Sequence, residues 1–277
     1  MAAEPAAAAA TSPHAIEAIA LGRRYESVVA AESVSFSVAK GEFFALLGPN
    51  GAGKTTVLHM LTTLVTPTSG SASVMGYDVV RDAEQVRRQL GMVFQDPALD
   101  ERLTAKENLD IHAVLYGIPR ASRAAAVQQA LAWASLNEVG QRRVRAFSGG
   151  MKRRLELARA IMHGPRVLFL DEPTIGLDPQ GRRHLWDRIA ALREEGMTVL
   201  MTTHYMPEAE ACDRVGIIDK GKLVAIGAPK QMIAQQPAAK NLEDVFLKLT
   251  GRAFRDEEAS HRDLIVNFGK RGGEHTR

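Results

Sequence analysis

Phe43-Phe44-Ala45-Leu46-Leu47-Gly48-Pro49-Asn50-Gly51-Ala52-Gly53-Lys54-Thr55-Thr56 is the stretch on which the fold turns. Five consecutive apolar residues predict a strand buried on both faces, as in a parallel sheet covered by helices. Gly48 to Thr55 fit the pattern G-x-x-x-x-G-K-[ST], and Val57, Leu58, Leu61 and Leu64 beyond them fall on one helical face. Glycines at 48, 51 and 53 let backbone N–H groups turn inward as an anion nest, next to the positive end of the helix dipole. In such a nest Lys54 neutralises the β- and γ-phosphates of a nucleotide, and Thr55 offers its hydroxyl to magnesium.

Two further segments extend this chemistry. Val167 to Leu170 is an apolar strand that ends in Asp171-Glu172-Pro173. Ligands of open α/β sheets gather at the carboxyl ends of strands, so both acids are expected beside the phosphates. Adjacent residues at a strand end point apart, which leaves Asp171 to hold magnesium through water and Glu172 to accept a proton from an attacking water. Ser148-Gly149-Gly150 follows Phe147 and opens a helix with Met151, Leu155, Ala158, Ile161 and Met162 along one side, a second anion site at a helix start. A nucleotide has one terminal phosphate, so two such loops point to two copies of the chain.

The surrounding chain predicts an α/β core interrupted by a helical insert. Strands are expected at Ile16 to Leu21, Val34 to Val38, Ser71 to Met75, Leu90 to Phe94 and Val199 to Thr203, with a hairpin from Val215 to Ala225 around Asp-Lys-Gly. From Asp96 to about Ala160 the composition is helical, alanine-rich at Ala121 to Ser135. Residues 1–14 are expected to form a flexible leader and 252–277 a charged, mobile tail. The 277 residues are 45% hydrophobic and 24% charged, which fits one well-buried domain and excludes wholesale disorder. A formal net charge of +3 is too small to point to a dedicated nucleic-acid binder. The single cysteine, Cys212, can form neither an internal disulfide nor a zinc cage, and it reads as a buried small hydrophobe in a reducing compartment. His59 and His112 read as structural. No run reaches the roughly 18 apolar residues that span a bilayer, so a membrane role would come through a partner.

From Ile16 to Gly251 the chain resembles the nucleotide-binding subunits of ATP-binding cassette (ABC) transporters. GPNGAGKTT, VFQD with Gln95, FSGGM, VLFLDEP, Gly176-Leu177-Asp178 and His204 in TVLMTTH stand in that family's order. The resemblance implies an α/β P-loop NTPase: a RecA-like core with an antiparallel β subdomain, and an inserted α-helical subdomain at approximately 96–162, within one domain from 15 to 251. It implies head-to-tail dimerisation with a second copy or a homologous subunit, each ATP gripped by Gly48 to Thr56 of one and Ser148-Gly149-Gly150 of the other. It further implies that Tyr25 stacks on adenine, that Gln95 senses magnesium and the attacking water, and that Ser148 and Gly150 bind the γ-phosphate. Asp178 would contact the partner subunit, and His204 would hold the γ-phosphate or the transition state. Phe147 and Met151 depart from the usual Leu and Gln around Ser-Gly-Gly, which removes one polar contact to the nucleotide.

FSGGMKRRLELAR, DEPTIGLDP, TTHYMPEAE and NLEDVFLKLTGR resemble the type-2 exporter branch, which serves drugs, polyketides and polysaccharides. The length leaves no room for the regulatory domain that import ATPases often append. That resemblance implies a cytoplasmic ATPase, peripheral on the inner face of the membrane through transmembrane permease subunits, with ATP and Mg2+ and without nucleic acid. The rival is a soluble mechanical ATPase acting on nucleic acid or the ribosome. One cassette rather than two weighs against the ribosomal form, and the lack of sustained heptads between Gln95 and Ser148 weighs against a DNA-repair ATPase.

Overall fold

The computed structural model describes residues 13–251. Residues 1–12 of the expected leader and the whole expected tail, 252–277, lie outside the described residues. His14, placed in the leader by its sequence, opens the first strand. Two sheets carry the structure. The smaller is antiparallel, in the order β2-β1-β4-β5, from β1 (His14–Tyr25), β2 (Val28–Ala39), β4 (Ser69–Val74) and β5 (Tyr77–Asp78). The larger holds β3 (Phe43–Leu47), β6 (Leu90–Val93), β7 (Val167–Asp171), β8 (Thr198–Thr203), β9 (Arg214–Asp219) and β10 (Lys222–Gly227), in the order β10-β9-β3-β8-β7-β6. Within it β9, β3, β8, β7 and β6 run parallel, and β10 returns antiparallel from β9. Lys220 (φ 49°) and Gly221 (φ 77°) form the tight turn of that hairpin, in the left-handed pair a two-residue turn requires.

The five apolar residues of β3 divide between two cores. Phe44 and Leu46 pack toward the small sheet, with α1 (Lys54–Leu61) and α2 (Ala83–Gln89). Phe43, Ala45 and Leu47 pack on the other face, under α6 (Pro179–Glu194), α7 (Met206–Glu210) and α9 (Leu242–Thr250). The same alternation splits Val167 and Phe169 from Leu168 and Leu170 on β7. A continuous apolar strand is therefore a strand with helices or sheet over both faces.

The helical insert comprises α3 (Ala105–Leu115), α4 (Arg120–Trp133) and α5 (Gly149–Ile161), around a third core that includes Leu109, Leu131, Phe147 and Leu155. Its first helix has a complete capping box between Thr104 and Glu107. On α5, Leu155 and Ala158 face the insert core while Leu157 and Ala160 face the main sheet, so this helix is buried on two sides. Among the described residues no helix is long and apolar enough to cross a membrane.

The structure departs from the sequence expectations in several places. Leu64 leaves the helical face: α1 stops at Leu61, Thr63 adopts a left-handed φ of 66°, and Leu64 is 53% exposed. β1 and β2 are about twice the expected length, because register shifts and left-handed Ala20 and Ser33 carry the pairing past breaks in the alternation. The other boundaries move by one or two residues. Finally, α2, whose seven residues bury only Val86, was not among the elements expected from the sequence, nor were β5, α6, α7, α8 (Pro229–Gln235) and α9.

This packing predicts that Phe169→Ala, fully buried between sheet and α1, lowers unfolding free energy by about 3–5 kcal/mol, whereas Ile111→Ala, 49% exposed, costs less than about 0.5. Urea unfolding of both variants checks the difference.

Candidate functional site

Four neighbouring parallel strands deliver their carboxyl ends to one cleft of about 700 Å³. Gly48 follows β3, Gln95 follows β6, Glu172 follows β7 and His204 follows β8. The cleft wall runs from Asn50 through Thr56 and is closed on the far side by Tyr25 and Val28 of the small sheet. Gly48 and Pro49 are not among the residues lining it; their carbonyls accept hydrogen bonds from Lys54 Nζ at 2.8 and 3.1 Å. Two glycines are required by close approach: a Cβ on Gly48 would meet the Ile218 carbonyl oxygen at 2.3 Å, and one on Gly53 (φ 102°) would meet that of Ala30 at 2.3 Å. Gly53 caps α1 without a side-chain bond to its first N–H groups, which leaves the helix start facing the cleft.

Lys54 and Glu172 meet at the centre. Lys54 Nζ lies 3.1 Å from Glu172 Oε1, with both side chains almost fully buried. His204 Nδ1 lies 3.1 Å from Glu172 Oε2. Burial raises the Glu172 carboxyl, but the bond from His204 and the charge of Lys54 outweigh it and hold the group below the usual carboxylate range. Burial pushes the Lys54 ammonium down, opposed by Glu172 and Asp171. Glu172 is thus ionised and aimed at the same space as the lysine, and its backbone is strained at φ 44°. Such a conformation costs on the order of 1–3 kcal/mol and persists only where its surroundings hold it. Here the Glu172 N–H donates to the Thr202 carbonyl (3.2 Å) and to Thr202 Oγ1 (3.0 Å).

Asp171 is 2% exposed and stands beside Thr55, whose Oγ1 donates to its Oδ1 at 3.2 Å. Thr202 Oγ1 donates to the same carboxylate oxygen. Two hard oxygen ligands on adjacent elements suit a small divalent cation that keeps waters and takes phosphate oxygens. Among the described residues no group of three or more His, Cys, Asp and Glu offers an all-protein cage, as a transition-metal centre would require. Gln95, exposed on the loop after β6, borders the cleft. Tyr25 is 39% exposed at the rim, with the Arg23 guanidinium 4.5 Å from its ring centroid.

Ser148-Gly149-Gly150 is not brought to this cleft. Ser148 caps α5, its Oγ accepting the Met151 N–H at 3.3 Å, and it borders a separate cavity with Gly150 and Asp178. A Cβ on Gly150 would meet nothing within 4 Å, and one on Gly149 only the Gly176 carbonyl oxygen at 3.9 Å. The packing of this chain therefore makes no demand for glycine at either position.

Three buried charged residues around the site escaped sequence reasoning. Glu208 accepts Thr203 Oγ1 at 2.7 Å and a hydrogen bond from Thr174, tying the loop after Glu172 to the strand end before His204. Arg153 and Glu156 form an ion pair inside α5. The spacing of charges within a helix gave no signal of this, because an amphipathic pattern assigns charged positions to solvent. Cys212 is buried as expected, and burial pushes its thiol well above the usual range. His112 is half-buried and stacked on Tyr116, and burial first, with Arg159 second, drives it down to about 3.

The family described as "ABC transporter" matches residues 31–175. The linearmycin resistance ATP-binding protein LnrL of Bacillus subtilis is 40% identical over 221 residues, 79% of this chain and 71% of that protein. The Nod factor export ATP-binding protein I of Burkholderia thailandensis is 45% identical over 215 residues, 77% and 71% of the two chains. Among solved structures, an ATP-binding subunit of an ABC transporter superposes with a TM-score of 0.77 at 31% identity, over 85% of this chain and 99% of that one. A dimeric post-hydrolysis state of the ATP-binding cassette MJ0796, bound to ADP and Pi, gives 0.70 at 25% identity, over 77% and 98%.

Glu208→Ala, which strips two hydroxyls of a buried charged acceptor, should lower unfolding free energy by about 2–3 kcal/mol; a change under about 0.5 in urea titration would contradict the tie described here.

Proposed function

The chain belongs to the ABC transporter family, and from that premise we propose that it is the ATP-hydrolysing subunit of an exporter, working as a head-to-tail dimer beneath separate membrane-spanning subunits. The observation that carries the reading is the meeting of Lys54, Glu172 and His204 at adjacent strand ends around a glycine nest. ATP lies with its phosphates over Gly48 to Thr56 and its adenine against the ring of Tyr25. Lys54 exchanges part of its ion pair with Glu172 for the β- and γ-phosphates, which releases the carboxylate toward water. Glu172 then takes a proton from that water as its oxygen bonds to the γ-phosphorus, and the β–γ bridging oxygen leaves with the bond pair on ADP. His204 hydrogen-bonds the γ-phosphate or the transition state. Thr55, Asp171 and Gln95 would hold Mg2+, whose charge, when bound, offsets that of the phosphate oxygens.

The γ-phosphate is also gripped by Ser148 and Gly150 of the partner subunit. Support for that comes from the open space beside Gly149 and Gly150. Glycine at two positions where the chain itself leaves room for a side chain is explained when another molecule closes on them. Export, rather than import, is supported by the identity to a protein named for Nod factor export and to a resistance protein. The cytoplasmic face of the membrane is the place this reading assigns, with the permease as partner and no nucleic acid.

Two variants test the assignment. Glu172→Gln is expected to bind ATP, slow hydrolysis by about 10²-fold or more and accumulate a dimer on size exclusion; near-normal turnover would refute Glu172 as base. Ser148→Arg is expected to leave the ADP affinity of the monomer within about twofold and to abolish hydrolysis. Equal loss of binding and hydrolysis in that variant would show both loops acting within one subunit.

A further inference from the structure

α5 carries a buried ion pair that neither phosphate binding nor proton transfer uses. Arg153 is 5% exposed and Glu156 is 0% exposed, with Arg153 Nη1 2.9 Å from Glu156 Oε2. A guanidinium buried this deeply is tolerated when its donors are filled. Arg153 makes five hydrogen bonds. Nε donates to the Pro173 carbonyl at 2.7 Å, and Nη2 is shared between the carbonyls of Asp171 and Glu172 at 3.4 Å each. Nη1 donates to the Phe94 carbonyl as well as to Glu156.

The targets of these bonds are specific. Three successive carbonyls, 171 to 173, bracket the one non-glycine residue of the site with a left-handed backbone, Glu172. Phe94 immediately precedes Gln95, and Glu156 Oε1 accepts the Ala98 N–H at 3.0 Å on the far side of the same loop. One side-chain pair therefore clamps α5 to both the base and the Gln95 loop. Of the other arginines of this helix, Arg154 turns away and donates to the Ala134 carbonyl in the insert, whereas Arg159 joins the same cluster, donating to the Ala98 carbonyl with its Nη2 3.9 Å from Glu156 Oε1. The tip of α5 is Ser148, five residues before Arg153 and so about 7.5 Å along the axis.

We propose that Arg153 is a positioning residue that couples the two ATP sites of the dimer. It conveys displacement of the α5 tip by the partner's ATP to the backbone of Glu172 in its own chain. The inference rests on the shared-site reading given under Proposed function. In that arrangement Ser148 serves the nucleotide on the partner's phosphate loop, whereas Glu172 serves the nucleotide on its own. A rigid guanidinium between them joins one site's occupancy to the other site's base, which is a coupling between two distinct sites.

The test compares wild type, R153K and the double variant R153Q/E156Q, which removes both buried charges together. R153K keeps the charge and loses the planar fork. ADP affinity, the ATP dependence of hydrolysis and the thermal midpoint are measured for each. Both variants are expected to lose at least about tenfold in kcat, with ADP affinity and KM within about twofold, while the Hill coefficient falls from above about 1.5 to about 1. A merely structural role would instead lower the thermal midpoint and be rescued by R153K. R153K with wild-type kcat and Hill coefficient overturns the proposal, as does loss of kcat with cooperativity retained, a non-cooperative wild type, or an R153K that does not fold. Should the double variant alone fail to fold, R153K decides by the same criteria. A wild type that hydrolyses no ATP sinks the parent reading instead.

Discussion

Parallel pairing of β3, β8 and β7 is the constraint from which the site follows. Leu47 stands opposite Thr203, and Asp171 opposite Thr202, so the residues that come next in each chain segment, Gly48, His204 and Glu172, emerge at one edge. Backbone hydrogen bonds in a sheet buried on both faces fix this register, because a slip by one residue would turn each strand's two apolar faces over. The Lys54–Glu172 contact then bridges the helix that starts after β3 and the loop that starts after β7. Charge placed there is expensive to bury and is held by pairing, by carbonyls and by threonine hydroxyls, so the site is rigid where it grips phosphate.

The helical insert is attached to this rigid edge rather than to a free linker. α5 contributes to two cores and carries the Arg153–Glu156 pair against the carbonyls of Asp171, at the end of β7, and of Glu172 and Pro173 after it. A tilt of the insert has two outlets: the Ser148 tip at one end of α5 and the loop of Gln95 beside it. In the proposed dimer, nucleotide contact at the tip and movement of the insert would be the same displacement described at two ends. Such a linkage shifts a population between open and closed forms only as far as the γ-phosphate binds one form better.

Much of this arrangement was legible in the residues, for physical reasons that also explain what was not. The glycine loop, Asp171-Glu172 and Ser148-Gly149-Gly150 are short, local and tied to strand or helix ends, so their surroundings followed from the order of elements alone. Phe43 to Leu47 declared double burial by lacking alternation, and the apolar run Val167 to Leu170 shares that pattern. Arg153, Glu156 and Glu208 gave no such signal, because their burial depends on carbonyls and hydroxyls brought close only by tertiary packing. Leu64 failed in the opposite sense: periodicity continued one turn past a left-handed Thr63 that ends the helix. The extended lengths of β1 and β2 rest on bulges, which break alternation and hide strand from a pattern of period two.

The central claim is that each hydrolytic site is assembled from two chains, and mixing two inactive proteins measures it most directly. Lys54→Ala disables the phosphate loop, and Ser148→Arg disables the opposing helix tip. A dimer containing one of each has one site with both lesions and one with none. An equal mixture should thus recover measurable ATPase activity where neither parent has any, with a ceiling of about one quarter of wild type if the sites act independently and about tenfold less where the intact site loses its input from the crippled one. A mixture as inactive as its parents, with heterodimers demonstrated by differential tagging, would contradict the account.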